Sequence, residues 1–405
     1  MERKYKDSGT KGIGFIPQSW DNSQLGIFFS ENRKANSSLE SFTALQFKYG
    51  EIIQKPNNGR ELSDKDKELL SKYTVIEPGD VIVNGLNLNF DLKSLRIAIA
   101  RESGIITSAY IVLRPRRGVN PEYYNYVLKA LDFQKILHGM GEGIRLTLSY
   151  DELKKLNVPA PDSAIQTAIV SYLDEKCGEI DSLISLQEQM IEKLKAYKQS
   201  VITEAVTKGL DPNAKLVPSG IDWIGEIPEG WKVCRIKDLV IMKSGSNLTS
   251  EQIANEGSYP VYGGNGLRGY YEAYSNEGDY VLVGRQGALC GNINYAFGRF
   301  WATDHAVVCY PRRNFSLIWF GETLRSMNLG QYSLSAAQPG LSVDRIREKK
   351  MPLPPVSEQH AIASYLDSKC SDIDRLIALK QQKIESLKEY KKSVIYEAVT
   401  GKTIV

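Results

Sequence analysis

Residues 166–207 return, without a gap, as residues 359–400, and 28 of the 42 paired positions are identical. Self-similarity this close marks an internal duplication. In the first copy Ile169, Leu173, Cys177, Ile180, Ile184, Ile191, Leu194, Ile202 and Ala205 recur at three- and four-residue intervals. The second copy repeats the pattern with Ile362, Leu366, Cys370, Ile373, Ile377, Ile384 and Leu387, and charged or amide residues fill the remaining positions of both. This is the signature of an amphipathic helix with one apolar stripe. A helix of about 40 residues is about 60 Å long and cannot hide its stripe alone. The simplest partner for each copy is the other, as a coiled coil.

The approach to each helix is also repeated. Leu148-Ser149-Tyr150-Asp151 leads to Val158-Pro159-Ala160-Pro161, as Leu341-Ser342-Val343-Asp344 leads to Pro352-Leu353-Pro354-Pro355. The prolines are expected to stop the preceding element. Upstream, Ser8-Gly9, Ile13-Gly14, Ile16-Pro17 and Trp20 reappear as Ser219-Gly220, Ile224-Gly225, Ile227-Pro228 and Trp231. This offset is 211 against 193 for the helices, which leaves the first head 18 residues longer. Between these frames the heads diverge almost completely. Both read as short Val/Ile/Tyr-rich strands broken by Gly and Asn turns, around 80–85 and 279–284, with a later helix near 121–137 and 317–327.

The expected fold class is therefore α+β: two globular heads separated by two long helices in an antiparallel coiled coil, with pseudo-two-fold symmetry. The segments are 1–160 (first head), 161–208 (first helix), 209–355 (second head) and 356–405 (second helix). Antiparallel helices would hold the heads at opposite ends of a rod, as suits a reader of spaced half-sites in duplex DNA.

Composition restricts the classes of function. A chain of 405 residues with 42% hydrophobic and 24% charged residues is ordinary for a water-soluble protein of two to three domains. Without an apolar run of about 18–20 residues or a signal-peptide core, it is expected in the cytosol. Its five cysteines form no CxxC pair and its three histidines are scattered, so a structural zinc site is not expected. Cys177 and Cys370 read as small buried apolar residues, and disulfides are not expected. A net charge of +3 is compatible with nucleic acid without indicating it.

These features resemble the specificity subunits of type I restriction-modification systems. The repeated helix (QxAI…YLD…I…LI…Q…I…LK.Y.…V..EAVT) is similar to that family's two shared helical regions, and the IGxIPxxW opening to the start of its target recognition domains. Residues 259–266 and 283–288 of the second head also look like family sequence. The resemblance implies a non-catalytic subunit whose heads each read one half of a bipartite, asymmetric DNA sequence while the helices set the gap. The implied partners are double-stranded DNA, two methyltransferase subunits and restriction subunits, with no membrane. S-adenosylmethionine, ATP and Mg²⁺ would be used by those partners, with no cofactor on this chain. A modification-only system would use an identical subunit. A coiled-coil scaffold for proteins is the alternative of another class.

Three motifs suggest enzymes and are set aside. The GxGxxG pattern of Gly264, Gly266 and Gly269 is followed by Tyr270-Tyr271-Glu272, which does not open a dinucleotide-binding helix. Asn120-Pro121-Glu122-Tyr123 resembles an adenine-methyltransferase signature but reads better as an Asn cap with Pro at the first helical position. Pro161-Asp162 with Asp174-Glu175-Lys176 echoes a nuclease motif, but straddles a helix start. Base reading is instead expected from loop Arg, Asn, Gln and Lys side chains, which pair with guanine and adenine edges. The candidates are Lys48, Tyr49, Asn84, Asn87, Arg96 and Arg145 in the first head, and Asn265, Arg268, Arg285, Gln286, His305 and Gln338 in the second. Each is also a credible phosphate contact, turn former or surface residue, and His305 a credible core histidine.

Overall fold

The structure is a computed structural model that describes residues 4–48, 50–56, 62–89, 94–141, 146–287, 289–333 and 340–405. The chain forms two compact units, Met1–Gln187 with Gln382–Val405, and Glu188–Gln381. Each takes in one head and half of each long helix.

The long helices run over Ser163–Lys208 and Val356–Val399. Asp162, half of the supposed nuclease pair, caps the first: its Oδ1 accepts the Ile165 N–H at 3.0 Å. Both helices run out into a left-handed glycine, Gly209 (φ 76°) and Gly401 (φ 69°), which ends a helix without a Cβ clash. Within the first unit Asp181 pairs with Lys391 at 2.6 Å, and within the second Lys198 pairs with Asp374 at 2.7 Å. Early residues of one helix thus meet late residues of the other, as the antiparallel arrangement requires. Asp374 and Lys391 are the duplicates of Asp181 and Lys198, so the two ion pairs are one contact made twice. Half-exposed pairs of this kind contribute about 0–1 kcal/mol each; their value lies in register.

The predicted stripe is buried where the heads dock. Ile169, Leu173 and Cys177 join Val394, Ile395 and Ala398 in the first unit's main core. Val201, Ile202 and Ala205 join Ile362 and Leu366 in the second's. Burying such an aliphatic side chain stabilises the fold by about 1.5–3 kcal/mol. Head and helices therefore share one core in each unit. Burial also raises the pKa of the Cys177 thiol, as expected of a packing residue.

The heads share a four-stranded sheet of the same order despite their divergent sequences. In the first, a four-stranded antiparallel sheet has the order Phe29–Glu31, Ile111–Pro115, Val81–Val83, Ile97–Ile99. In the second the order is Val240–Ser244, Ala306–Pro311, Tyr280–Gly284, Ile293–Ala296. Side chains alternate across a strand. Val81 and Val83 therefore enter the main core while Ile82 enters a smaller cluster on the other face, and Val281, Val283 and Leu282 do the same. Burial on both faces explains the uninterrupted apolar runs.

Helices Pro121–Phe133 and Leu317–Ser326 follow. Asn120 caps the former, accepting the Tyr123 N–H with Pro121 at the first turn, which accounts for the methyltransferase-like motif. One expectation is corrected. The prolines before the long helices do more than stop an element, because Asn157–Ala160 and Lys350–Leu353 are strands paired with Asp21–Gln24 and Lys232–Arg235. Pro159 and Pro352 are tolerated because these sheets have only two strands.

Candidate nucleic-acid interface

In the second head, strands Tyr259–Gly263 and Gly266–Tyr271 form a hairpin turning at Gly264 and Asn265. The GxGxxG stretch is thus a turn and a strand, not a cofactor loop. A Cβ on Gly284 would overlap the Gly264 carbonyl, and a Cβ on Gly264 would lie 3.2 Å from the His305 carbonyl and 3.5 Å from that of Gln286. Glycine at 284 is required for this approach, and glycine at 264 relieves crowding. It seats the hairpin turn against the loop that follows the central strand. Asn292 then donates to the Asn265 Oδ1 at 2.7 Å, and the Arg285 N–H donates to the His305 carbonyl at 2.9 Å.

Four sequence-predicted residues, Asn265, Arg285, Gln286 and His305, are brought together in this way. Asn265 and Gln286 are exposed. The Arg285 Nη1 donates to the Ser244 Oγ at 3.1 Å, leaving further donors of its fork for a ligand. Arg285, Gln286, Ser244, Leu341 and Asp344 line a cleft of about 540 Å³. The His305 side chain is 43% exposed and its Nε2 is 4.0 Å from the Asp304 Oδ1; it is a rim residue, not a core histidine. Arg268 lies on the adjacent strand, its stem over Gly263 and its Nη2 3.4 Å from the Ser250 Oγ.

Residues 228–389 match the family described as the type I restriction modification DNA specificity domain. The EcoprrI specificity subunit of Escherichia coli is 40% identical over 134 residues, 32% of this chain and 33% of that protein. The putative MjaX specificity subunit of Methanocaldococcus jannaschii is 23% identical over 98% of this chain and 97% of its own. The second head and most of the second helix are thus similar to type I restriction-modification specificity subunits, and the whole length is similar to one of them at lower identity. The fold agrees: the HsdS subunit from Thermoanaerobacter tengcongensis superposes with a TM-score of 0.51 at 17% identity, over 96% of this chain and 98% of that one. A solved chain from work on the assembly and conformational transition of the type I R-M system gives 0.70 at 17% identity, over 95% and 98%.

In the first head the corresponding place is the loop after the central strand Val81–Val83. Both loops receive the same backbone bond, from the Leu148 N–H to the Gly85 carbonyl and from the Leu341 N–H to the Arg285 carbonyl, each at 2.9 Å. Asn87 is exposed with φ 53°, whereas the Asn84 Oδ1 is used internally, accepting the Leu86 N–H at 3.2 Å. Lys48 is exposed at the end of the hairpin strand Leu45–Lys48.

Arg96 requires a correction. It is 2% exposed, so its guanidinium has no direct access to DNA. Tyr49, Arg145 and Gln338 lie outside the described residues. Sequence reasoning missed Ser244 and Asn292, which hold Arg285 and Asn265 in place. Their signal is tertiary proximity, which no local motif carries.

Proposed function

We propose that this chain is the non-catalytic DNA-reading subunit of a type I restriction-modification complex. Each head reads one half of an asymmetric bipartite sequence, and the paired helices hold the heads apart and set the unread gap. The observation that supports this most is the gathering of Asn265, Arg285, Gln286 and His305 on one rim of the second head. Arg pairs bidentately with the O6 and N7 of guanine, and Asn or Gln with the N6 and N7 of adenine. A common scaffold with unlike loops is what two independent half-sites need.

Methyltransferase subunits dock on the helices in this reading, with restriction subunits joining the complex. S-adenosylmethionine, ATP and Mg²⁺ are bound and used by those partners. Leu183 and Leu186 are 47% and 45% exposed, and their duplicates Leu376 and Leu379 are 44% and 55% exposed. A solvated coiled-coil face does not need leucine at both copies of two positions, and a protein partner does. Replacing Leu183 and Leu186 by Asp is expected to weaken capture of one methyltransferase subunit by at least about tenfold, since buried interface anchors carry 2 kcal/mol or more. Size-exclusion chromatography of the complex reads this as lost stoichiometry, and an unchanged complex would remove these leucines from the interface.

The overall reading is tested by selecting duplexes from a randomised pool with the assembled complex. Two short conserved blocks at a constant spacing are expected, with affinity falling linearly on a log–log plot against salt as phosphate contacts release counterions. Recovery of unrelated sequences, or salt-independent binding, leaves the scaffold alternative.

A further inference from the structure

We propose that Arg96 is a positioning residue that holds the reading loop of the first head in shape, so that Asn87 faces the DNA. This rests on the DNA-reading function proposed above. A nearly fully buried guanidinium is costly unless its donors are satisfied, and here they converge on one loop. Nη1 donates to the carbonyls of Asn84 at 3.1 Å and Leu86 at 2.8 Å, and Nη2 to that of Asn87 at 3.4 Å. Nε lies 3.4 Å from the His138 Nε2, and the Arg96 backbone N–H donates to the Asp132 Oδ2 at 2.7 Å. Asp132 and His138 come from the helical segment that follows the sheet, so the loop is tied through one side chain to the rigid part of the head.

Three carbonyls drawn to one planar cation curl the backbone at 84–87. Asn87, an exposed amide of the loop, stands in the left-handed region (φ 53°). The second head secures its equivalent loop differently, through the Asn265–Asn292 bond and the Gly264–Gly284 approach. Loss of the Arg96 brace therefore touches one half-site only.

The test uses the full chain assembled with its methyltransferase partners and selection from a randomised duplex pool. R96K keeps the charge but cannot reach three carbonyls from one plane. Discrimination between bases in one block is expected to fall about tenfold, the range of one lost bidentate pair. The other block and the salt slope should stay unchanged, because a buried residue makes no phosphate contact. Hydrogen exchange should rise at 86–88 ahead of the core strand Ile97–Ile99. A slope lower by about one would make Arg96 a phosphate ligand and overturn the inference. An unchanged selection would overturn it as well. If R96K unfolds the head, H138A removes the group behind Nε while leaving the guanidinium in place, and is expected to cost about threefold in the same block; no change with H138A then refutes the brace. Failure of the parent complex to select two blocks is a different result, and counts against the DNA reading itself.

Discussion

Seven residues inserted after Gln187 and seven after Lys380 are expected to move the preferred gap between half-sites by about three base pairs. The insertions are matched because the two positions are duplicates, and seven residues preserve the apolar seam of a coiled coil. Each helix lengthens by about 10.5 Å at 1.5 Å per residue, and DNA rises about 3.4 Å per base pair. Three base pairs also turn the duplex by roughly 100°, at 10–10.5 base pairs per turn. The lengthened complex should thus bind its new site more weakly than the parent binds its own. The parental spacing should fall towards non-specific affinity, a loss on the order of 10³ or more. Both half-site sequences should stay the same. Selection from a pool with randomised spacing measures this, and a chain that keeps its original gap removes the ruler from the proposal.

Arg285→Ala should relax one half-site and spare the other. The guanidinium is anchored by the Ser244 Oγ and carried on a loop fixed by backbone bonds to His305 and Leu341, so it is pre-organised for a bidentate contact. Losing such a contact costs about 1–3 kcal/mol of discrimination at one base pair, roughly five- to 150-fold. If Arg285 instead grips a phosphate, R285A weakens all sequences alike and lowers the salt slope by about one. Competition between matched and singly mismatched duplexes at two salt concentrations separates these outcomes. Gln286→Ala is the companion measurement, because Gln286 carries no charge and should leave the salt slope alone.

The parts that repeat, or that follow a local period, were legible before any coordinates. The helices could be read because burial of one stripe imposes a 3.6-residue period that survives in Ile169, Leu173 and Ile180 and again in Ile362, Leu366 and Ile373. The strands at 81–83 and 280–284 were legible from apolar runs, and Asn120 from its capping position. The strands at 157–160 and 350–353 were missed because Val-Pro and Met-Pro read as breaks, whereas a two-stranded sheet with an open edge accepts a proline.

The candidate site divides in the same way. Residue type alone selected Asn265, Arg285, Gln286 and His305, but residue type could not separate Arg285 from Arg96. One lies on a cleft and the other is sealed behind a loop, and only packing distinguishes them. Gly264 and Gly284 look like ordinary turn glycines in the chain, yet their mutual approach assembles the rim.

The amino-acid order by itself determined a duplicated helix, two heads of unlike loops and a family resemblance, because periodicity and repetition are properties of the chain. Which arginine is open to a ligand, that both heads share one sheet order, and that each shares its core with the ends of both helices were decided by tertiary structure. Those facts depend on which distant segments exclude water together, and nearest neighbours along a chain carry no record of that.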